Sequence, residues 1–368
     1  MRRTGVLPSR LEQTELTGVS SVAAKQRNGS WDVMITGISL VVLAAMLQGI
    51  FMLPMPWIRH WKWEQIWLAF SLFGMLACNW ILTLFLLPHA AAIFAAVPLR
   101  DLLILIGFGI AWGVGAVMFG LGMDMLGLTL GYPLIMGLNA SVGTFIPLVL
   151  TYGGEMFAGR RVLIAVGLAI AIAGISACSL AGAWRESTAA GKANVSRPRF
   201  ISGLIVASAS GFLSCLPNLG LTFGASVIQT ARQQGVSAAF AGNAVWLIFF
   251  TFGGIINVLY CCWLMSRRKN TCLLIGAGSS KNWLWGLVMG ILWISGFYLY
   301  GAGTVRLGSD GVSIGWPIMV ALSMGAGVLC GLGRGEWKGA PARAKVLLSS
   351  GLAMIVLAVA IIPLGTAR

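Results

Sequence analysis

The chain has 368 residues, of which 58% are hydrophobic and only 10% charged, with a mean hydropathy of +0.88. A soluble domain carries about 25% charged residues, so a soluble fold is excluded. The net charge is +15, yet the Lys and Arg are scattered among short loops rather than gathered with aromatics on one polar face, which argues against nucleic acid and for lipid headgroups as their neighbours.

Met1 to Ser30 is polar, carries Arg2, Arg3, Arg10, Lys25 and Arg27, and lacks the apolar core and small-residue cleavage site of a signal peptide, so residues 1–30 read as a flexible tail. Uncharged stretches long enough to cross a hydrocarbon layer of about 30 Å as helices then follow one another. They run Val33 to Leu53, Gln65 to Leu87, Leu102 to Met123, Met125 to Leu150, Val162 to Ala183, Phe200 to Ile228, Val236 to Met265, Asn282 to Val305, Gly311 to Gly333 and Val346 to Thr366. The polar stretch Trp184 to Arg199 divides them into five plus five, residues 31–183 and 200–368, and an odd number inverts the second half.

The two halves resemble each other. With one constant shift, Trp112 recurs as Trp293, and Gly109, Gly115, Gly120, Gly122 and Gly127 recur as Gly290, Gly296, Gly301, Gly303 and Gly308. Gly131-Tyr132-Pro133 returns as Gly315-Trp316-Pro317, and Gly154-Glu155 as Gly335-Glu336. The expected fold is an all-α integral membrane protein of about ten transmembrane helices in two inverted five-helix repeats, a construction typical of secondary transporters.

Orientation follows from alternate loops. Those after segments one, five, seven and nine hold Arg59, Lys62, Arg185, Lys192, Arg197, Arg199, Arg267, Arg268, Lys269, Lys281, Arg334, Lys338, Arg343 and Lys345. The opposite set holds only Arg100, Arg160, Arg161, Arg232, Arg306 and Arg368. The positive-inside rule makes the richer loops cytoplasmic and both termini external, against which the basic tail stands as the one contrary sign.

Little acid-base or metal chemistry is available. There are ten acidic residues and two histidines, no HExxH, P-loop or Gly-x-Ser-x-Gly elbow, and the seven cysteines, including adjacent Cys261 and Cys262, read as small buried residues. Neither an enzyme nor a cofactor or metal site is expected, which leaves solute binding. The polar residues inside the apolar segments are uncharged: Gln48, Asn79, Asn139, Ser141, Thr144, Asn218, Thr222, Asn243 and Asn257. Each can bond to a neighbouring helix or face a cavity. Amides suit sugar hydroxyls, and the aromatic faces of Trp112, Trp293, Tyr132, Trp316, Tyr298 and Tyr300 suit apolar C–H faces. Gln48, Trp112, Tyr132, Asn139, Asn218, Trp293, Tyr298 and Trp316 are therefore the candidate substrate-binding residues. The two Gly-aromatic-Pro triplets, where Pro removes a backbone donor, are candidate helix interruptions beside that site.

For proton coupling a carboxylate must change protonation as the protein alternates. Glu64, Asp124, Asp310 and Glu336, all at segment ends, are the candidates for coupling or gating, each with a solvated loop charge as its alternative role. Glu155 and Glu336 are each followed by basic residues, Arg160 and Lys338, which suits loop ion pairing as readily as a gate.

The run Trp61-Lys62-Trp63-Glu64-Gln65-Ile66-Trp67, the stretch Trp112 to Gly131, Gly211-Phe212-Leu213-Ser214 and Gly335-Glu336-Trp337, in this order and spacing, resemble the L-rhamnose-proton symporter family, a branch of the drug/metabolite transporter superfamily. The resemblance covers roughly Ile35 to Gly365. It implies ten helices, an inverted five-plus-five repeat and uptake of a 6-deoxyhexose, foremost L-rhamnose, with a proton across a cell membrane, the inner one in a Gram-negative source. The chain departs from the pattern at Asp124, where the family has a basic residue, and in the less basic loop Arg59 to Lys62. A carrier of another metabolite on the same scaffold and a non-transporting membrane sensor are the alternatives.

Overall fold

The computed structural model describes residues 32–189, 197–276, 278–308, 311–335 and 337–365. Ten helices of membrane-crossing length and apolarity follow one another: α1 Asp32–Trp57, α2 Trp63–Leu86, α3 Leu99–Met123, α4 Leu134–Glu155, α5 Gly159–Gly182, α6 Pro198–Phe223, α7 Ala241–Arg268, α8 Ser279–Arg306, α9 Gly311–Gly333 and α10 Ala342–Gly365. No strand occurs among the described residues. The ten match the expected segments in order, most ends shifting by a few residues, while the fourth begins at Leu134 rather than at Met125. The seventh begins at Ala241 rather than Val236, because the chain first makes a turn in which the Phe240 and Ala241 amides donate to the Ser237 carbonyl. The tail of residues 1–30 lies outside the described residues. Of the linker, helical hydrogen bonding continues from α5 to Ala189 and resumes at Arg197.

Between α3 and α4 the helical bonding never breaks, running from Leu99 to Tyr152. The chain nevertheless reverses there. A Cβ on Gly131 would lie 3.3 Å from the Gly122 carbonyl oxygen, whereas nine residues of straight helix span about 13.5 Å. Helix α6 reads the two arms in opposite directions: Ala207 and then Leu213 meet Gly122 and Gly115, while Gly211 and then Asn218 meet Leu138 and Gly143.

The chain passes helically through both Pro133 and Pro317, so the interruptions expected at the two Gly-aromatic-Pro triplets do not occur. Pro317 lies inside α9 and removes the one hydrogen bond that an N–H there would give to the Ser313 carbonyl, without ending the helix. The break lies instead in α6, where a turn at Cys215 precedes Pro217 and the chain restarts as Leu216–Phe223.

Small residues let the helix backbones approach, as lipid-embedded interfaces require, and these approaches come in pairs. A Cβ on Gly253 of α7 would lie 2.9 Å from the Gly109 carbonyl of α3, and one on Gly74 of α2 would lie 2.9 Å from Gly290 Cα of α8. Ala207 of α6 meets Gly122 of α3, and Val41 of α1 meets Gly303 of α8. Cys215 of α6 meets Gly143 of α4, and the Gly49 carbonyl of α1 meets Gly327 of α9. Odd-numbered helices all end on the face that carries the basic loops, called here the basic face.

Candidate functional site

A cavity of about 580 Å³ penetrates from the basic face to the middle of the molecule, within the roughly 300–1,000 Å³ range of small-molecule sites. At its inner end lie Trp112 of α3 and Trp293 of α8, with rings 5.8 Å apart and 27° from parallel. The pair rests on Phe250 of α7, whose ring is 5.3 Å from Trp112 and 4.7 Å from Trp293. Gly253 makes room for the Trp112 ring, which would come within 2.7 Å of an added Cβ. Gln48 of α1 reaches the same level and donates Nε2 to the Trp293 carbonyl at 2.7 Å.

From this floor the walls rise through Trp67, Phe70, Ser179, Ser214, Ser323 and Gly327 to Arg185 and Trp337 at the mouth. Arg185 is the one charged side chain among the described lining residues, and its guanidinium lies 5.1 Å above the Trp337 ring. A second such contact, Arg343 over Trp184 at 5.2 Å, ties α10 to the end of α5 beside it. An apolar wall with hydroxyls, one amide and an indole floor can hold a small neutral polar solute, and the described lining residues include no carboxylate.

The eight candidate binding residues separate by depth. Gln48, Trp112 and Trp293 line this cavity. Asn139, Asn218, Tyr298 and Trp316 are buried on the far side of the tryptophan pair. Asn218 donates Nδ2 to the Gly143 carbonyl at 2.6 Å and accepts at Oδ1 from the Tyr300 hydroxyl. Tyr298 hydrogen-bonds Thr83 at 2.5 Å and donates to Asn79 Oδ1 at 2.9 Å, and Trp316 donates Nε1 to the Asn139 carbonyl at 3.2 Å. The Tyr132 side chain lies outside the described residues.

Of the coupling candidates, Asp310 and Glu336 lie outside the described residues, as does the side chain of Asp124. Glu64 is described and is fully buried. At the start of α2 its carboxylate accepts from Arg268 Nη1 at 3.0 Å and from Asn270 Nδ2 at 2.6 Å. Gln65 adds a bond from its Nε2 to the Asn270 carbonyl, and Trp61 Nε1 donates to the Leu273 carbonyl. The beginning of α2 is thus clasped to the end of α7 at the basic face. Glu155 is exposed and pairs with Arg161, at 3.3 Å, as a loop charge.

Trp67 and Phe70 escaped the reading by residue type, although a signal for them exists. Trp67-Leu68-Ala69-Phe70-Ser71-Leu72-Phe73-Gly74 in α2 recurs as Trp246-Leu247-Ile248-Phe249-Phe250-Thr251-Phe252-Gly253 in α7, with identical residues at five positions. Ser179, Ser214 and Ser323 carry no such mark.

Ten apolar helices around a deep cavity open to one face define a multi-pass solute carrier. The chain belongs to the L-rhamnose-proton symport protein family, whose pattern matches residues 31–368, and that family is one of symporters rather than enzymes. Among its relatives are the L-rhamnose-proton symporters of Cronobacter sakazakii, 26% identical over 339 residues (90% of this chain, 97% of the relative), and of Shigella dysenteriae serotype 1, 25% identical over 341 residues (90% and 98%). That of Pectobacterium carotovorum is 24% identical over 342 residues (91% and 98%). A solved crystal structure shares the fold at a TM-score of 0.50 and 15% identity, covering 89% of this chain and 96% of the other.

Proposed function

We propose that this protein takes up L-rhamnose together with a proton across the bacterial inner membrane, alternating between inward- and outward-open forms built from two inverted five-helix halves. The observation that carries the reading is the cavity itself: an indole floor formed by Trp112 and Trp293, a fixed amide at Gln48 and hydroxyl-bearing walls suit a compact sugar with one apolar face. With the basic face cytoplasmic, the described form is inward-open.

Glu64 is the proposed proton carrier, being the one buried carboxylate among the described residues. Protonation at the carboxylate oxygen would neutralise it, remove its attraction to Arg268 and loosen the clasp between α2 and α7. Substrate and proton would then bias the same pair of conformations, each by its difference in affinity for the two.

Uptake of labelled L-rhamnose into proteoliposomes, with and without an inward proton gradient, tests this reading. Accumulation driven by the gradient is expected. Equilibration without accumulation would make the protein a uniporter, and no uptake by folded protein would overturn the choice of sugar. A carrier for another sugar is the second reading, favoured by the 24–26% identity to the named relatives, and competition by unlabelled monosaccharides separates the two.

A further inference from the structure

Beyond the tryptophan floor the described polar side chains are buried, yet several of their atoms have no hydrogen-bond partner among the described residues: Asn139 Oδ1, Thr144 Oγ1, Trp246 Nε1 and both amide atoms of Asn243. Thr144 and Trp246 are fully buried and Asn139 is 7% exposed. An orphaned buried donor or acceptor costs about 1–3 kcal/mol, and native structures hold few.

Their positions are not random with respect to the cavity. The paired helix contacts fix which residue of one half stands where a residue of the other does: Gly253 with Gly74, Gly143 with Gly327, Cys215 with Gly49. Counting along each helix from these anchors, Trp246 stands where Trp67 does, Asn139 where Ser323 does, Thr144 where Val328 does, and Asn218 where Met52 does. All four of those counterparts line the open cavity. The sealed half therefore repeats the cavity wall, with an amide in place of a serine hydroxyl and two polar side chains in place of Val328 and Met52.

We infer that Asn139, Thr144, Asn218 and Trp246 form a second, outward-opening half-site for the transported sugar, more polar than the inward one, and that the outward-open form consequently holds the solute more tightly. The inference rests on the carrier reading proposed above and adds to it a location and an asymmetry. In the sealed form Asn218 is occupied by Gly143 and Tyr300. On opening, that amide and the three orphaned side chains would meet the hydroxyls of a polyol instead. Tight capture outside and loose holding inside is the arrangement that suits net uptake.

The test is sided labelling of the full-length protein in right-side-out vesicles with a membrane-impermeant maleimide, read peptide by peptide so that native cysteines are told apart. Thr144→Cys is expected to be labelled from outside although it is buried in the inward-open form, and saturating L-rhamnose is expected to slow that labelling about tenfold. Asn139→Cys serves as the second variant, each being required to elute as the parent does, and Ser237→Cys, in an exposed loop of the same face, shows that reagent arrives. If both buried positions stay unlabelled while Ser237→Cys reacts, the sealed half is permanent core and the inference falls. Labelling that ignores L-rhamnose would keep the opening, remove this sugar as its ligand and count against the proposed function instead. Thr144→Val supplies an independent readout: half-saturation is expected to rise severalfold from outside only, and an equal rise on both sides would overturn the asymmetry.

Discussion

At the scale of single residues, the aromatic side chains do two different jobs that residue type does not separate. Trp112 and Trp293 offer ring faces to the cavity, whereas Tyr298 spends its hydroxyl on Thr83 and Asn79. Trp112→Ala removes one half of the stack, a loss of about 1 kcal/mol that reads as a roughly fivefold rise in the KM for sugar uptake with the fold retained. Tyr298→Phe is expected to do the reverse. It orphans the Asn79 amide oxygen and the Thr83 hydroxyl, which lowers stability by about 1–2 kcal/mol in a detergent melt while leaving the KM in place. Of the eight binding candidates, those facing the cavity were legible only as members of a chemical class. An amide that lines a cavity and an amide that ties two helices look alike in sequence, and only the neighbours brought by other helices, Gly143 and Tyr300 for Asn218, tell them apart.

At the scale of helices, the clasp between α2 and α7 and the glycine contact between α3 and α7 carry the testable consequences. Glu64→Gln keeps the size and the bond from Asn270 but loses the charge that faces Arg268. Sugar exchange at equal concentrations is expected to persist while accumulation driven by a proton gradient disappears; gradient-driven uptake at the parental level would remove Glu64 from the coupling. Gly253→Ala puts a Cβ 2.7 Å from the Trp112 ring and 2.9 Å from the Gly109 carbonyl. Overpacking of about 1–3 kcal/mol should lower the melting temperature and, through the displaced indole, weaken uptake as well. Gly182→Ala is the matched control, since Gly182 also lines the cavity but its added methyl meets nothing within 4 Å. The helices themselves were legible because each is an uninterrupted apolar window between charged or turn-forming residues. The connection between α3 and α4 was legible only in outline: the fourth span was expected from Met125 and starts at Leu134, and helical bonding that continues through Pro133 runs against what a Gly-aromatic-Pro triplet leads one to expect.

At the scale of the whole molecule, orientation is the first thing to fix. Cys272, exposed between α7 and α8 on the basic face, is expected to react with an impermeant thiol reagent in inside-out vesicles and to be protected in right-side-out ones; the opposite result would turn the described form into the outward-open one. The ten spans among the described residues were readable from hydropathy, and the shifted glycines are the sequence sign that two halves correspond. Which half stands open was not readable, because both halves supply similar apolar walls, and whether a given wall residue faces a cavity or a neighbouring helix leaves no trace in composition.

The stacked indoles add a constraint on how such a carrier can diversify. Trp112 and Trp293 are counterparts by the sequence shift and touch each other at the centre, so in the proposed cycle whatever enters from either side would reach the same pair of rings. Selection acting there alters recognition for influx and efflux together and chooses the kind of solute without favouring a direction. Residues away from the centre, such as Ser179 or Ser323, are free to drift on one flank alone. New substrates should therefore arise through changes at the middle and new kinetics through changes at the ends, two routes that a lineage can follow independently.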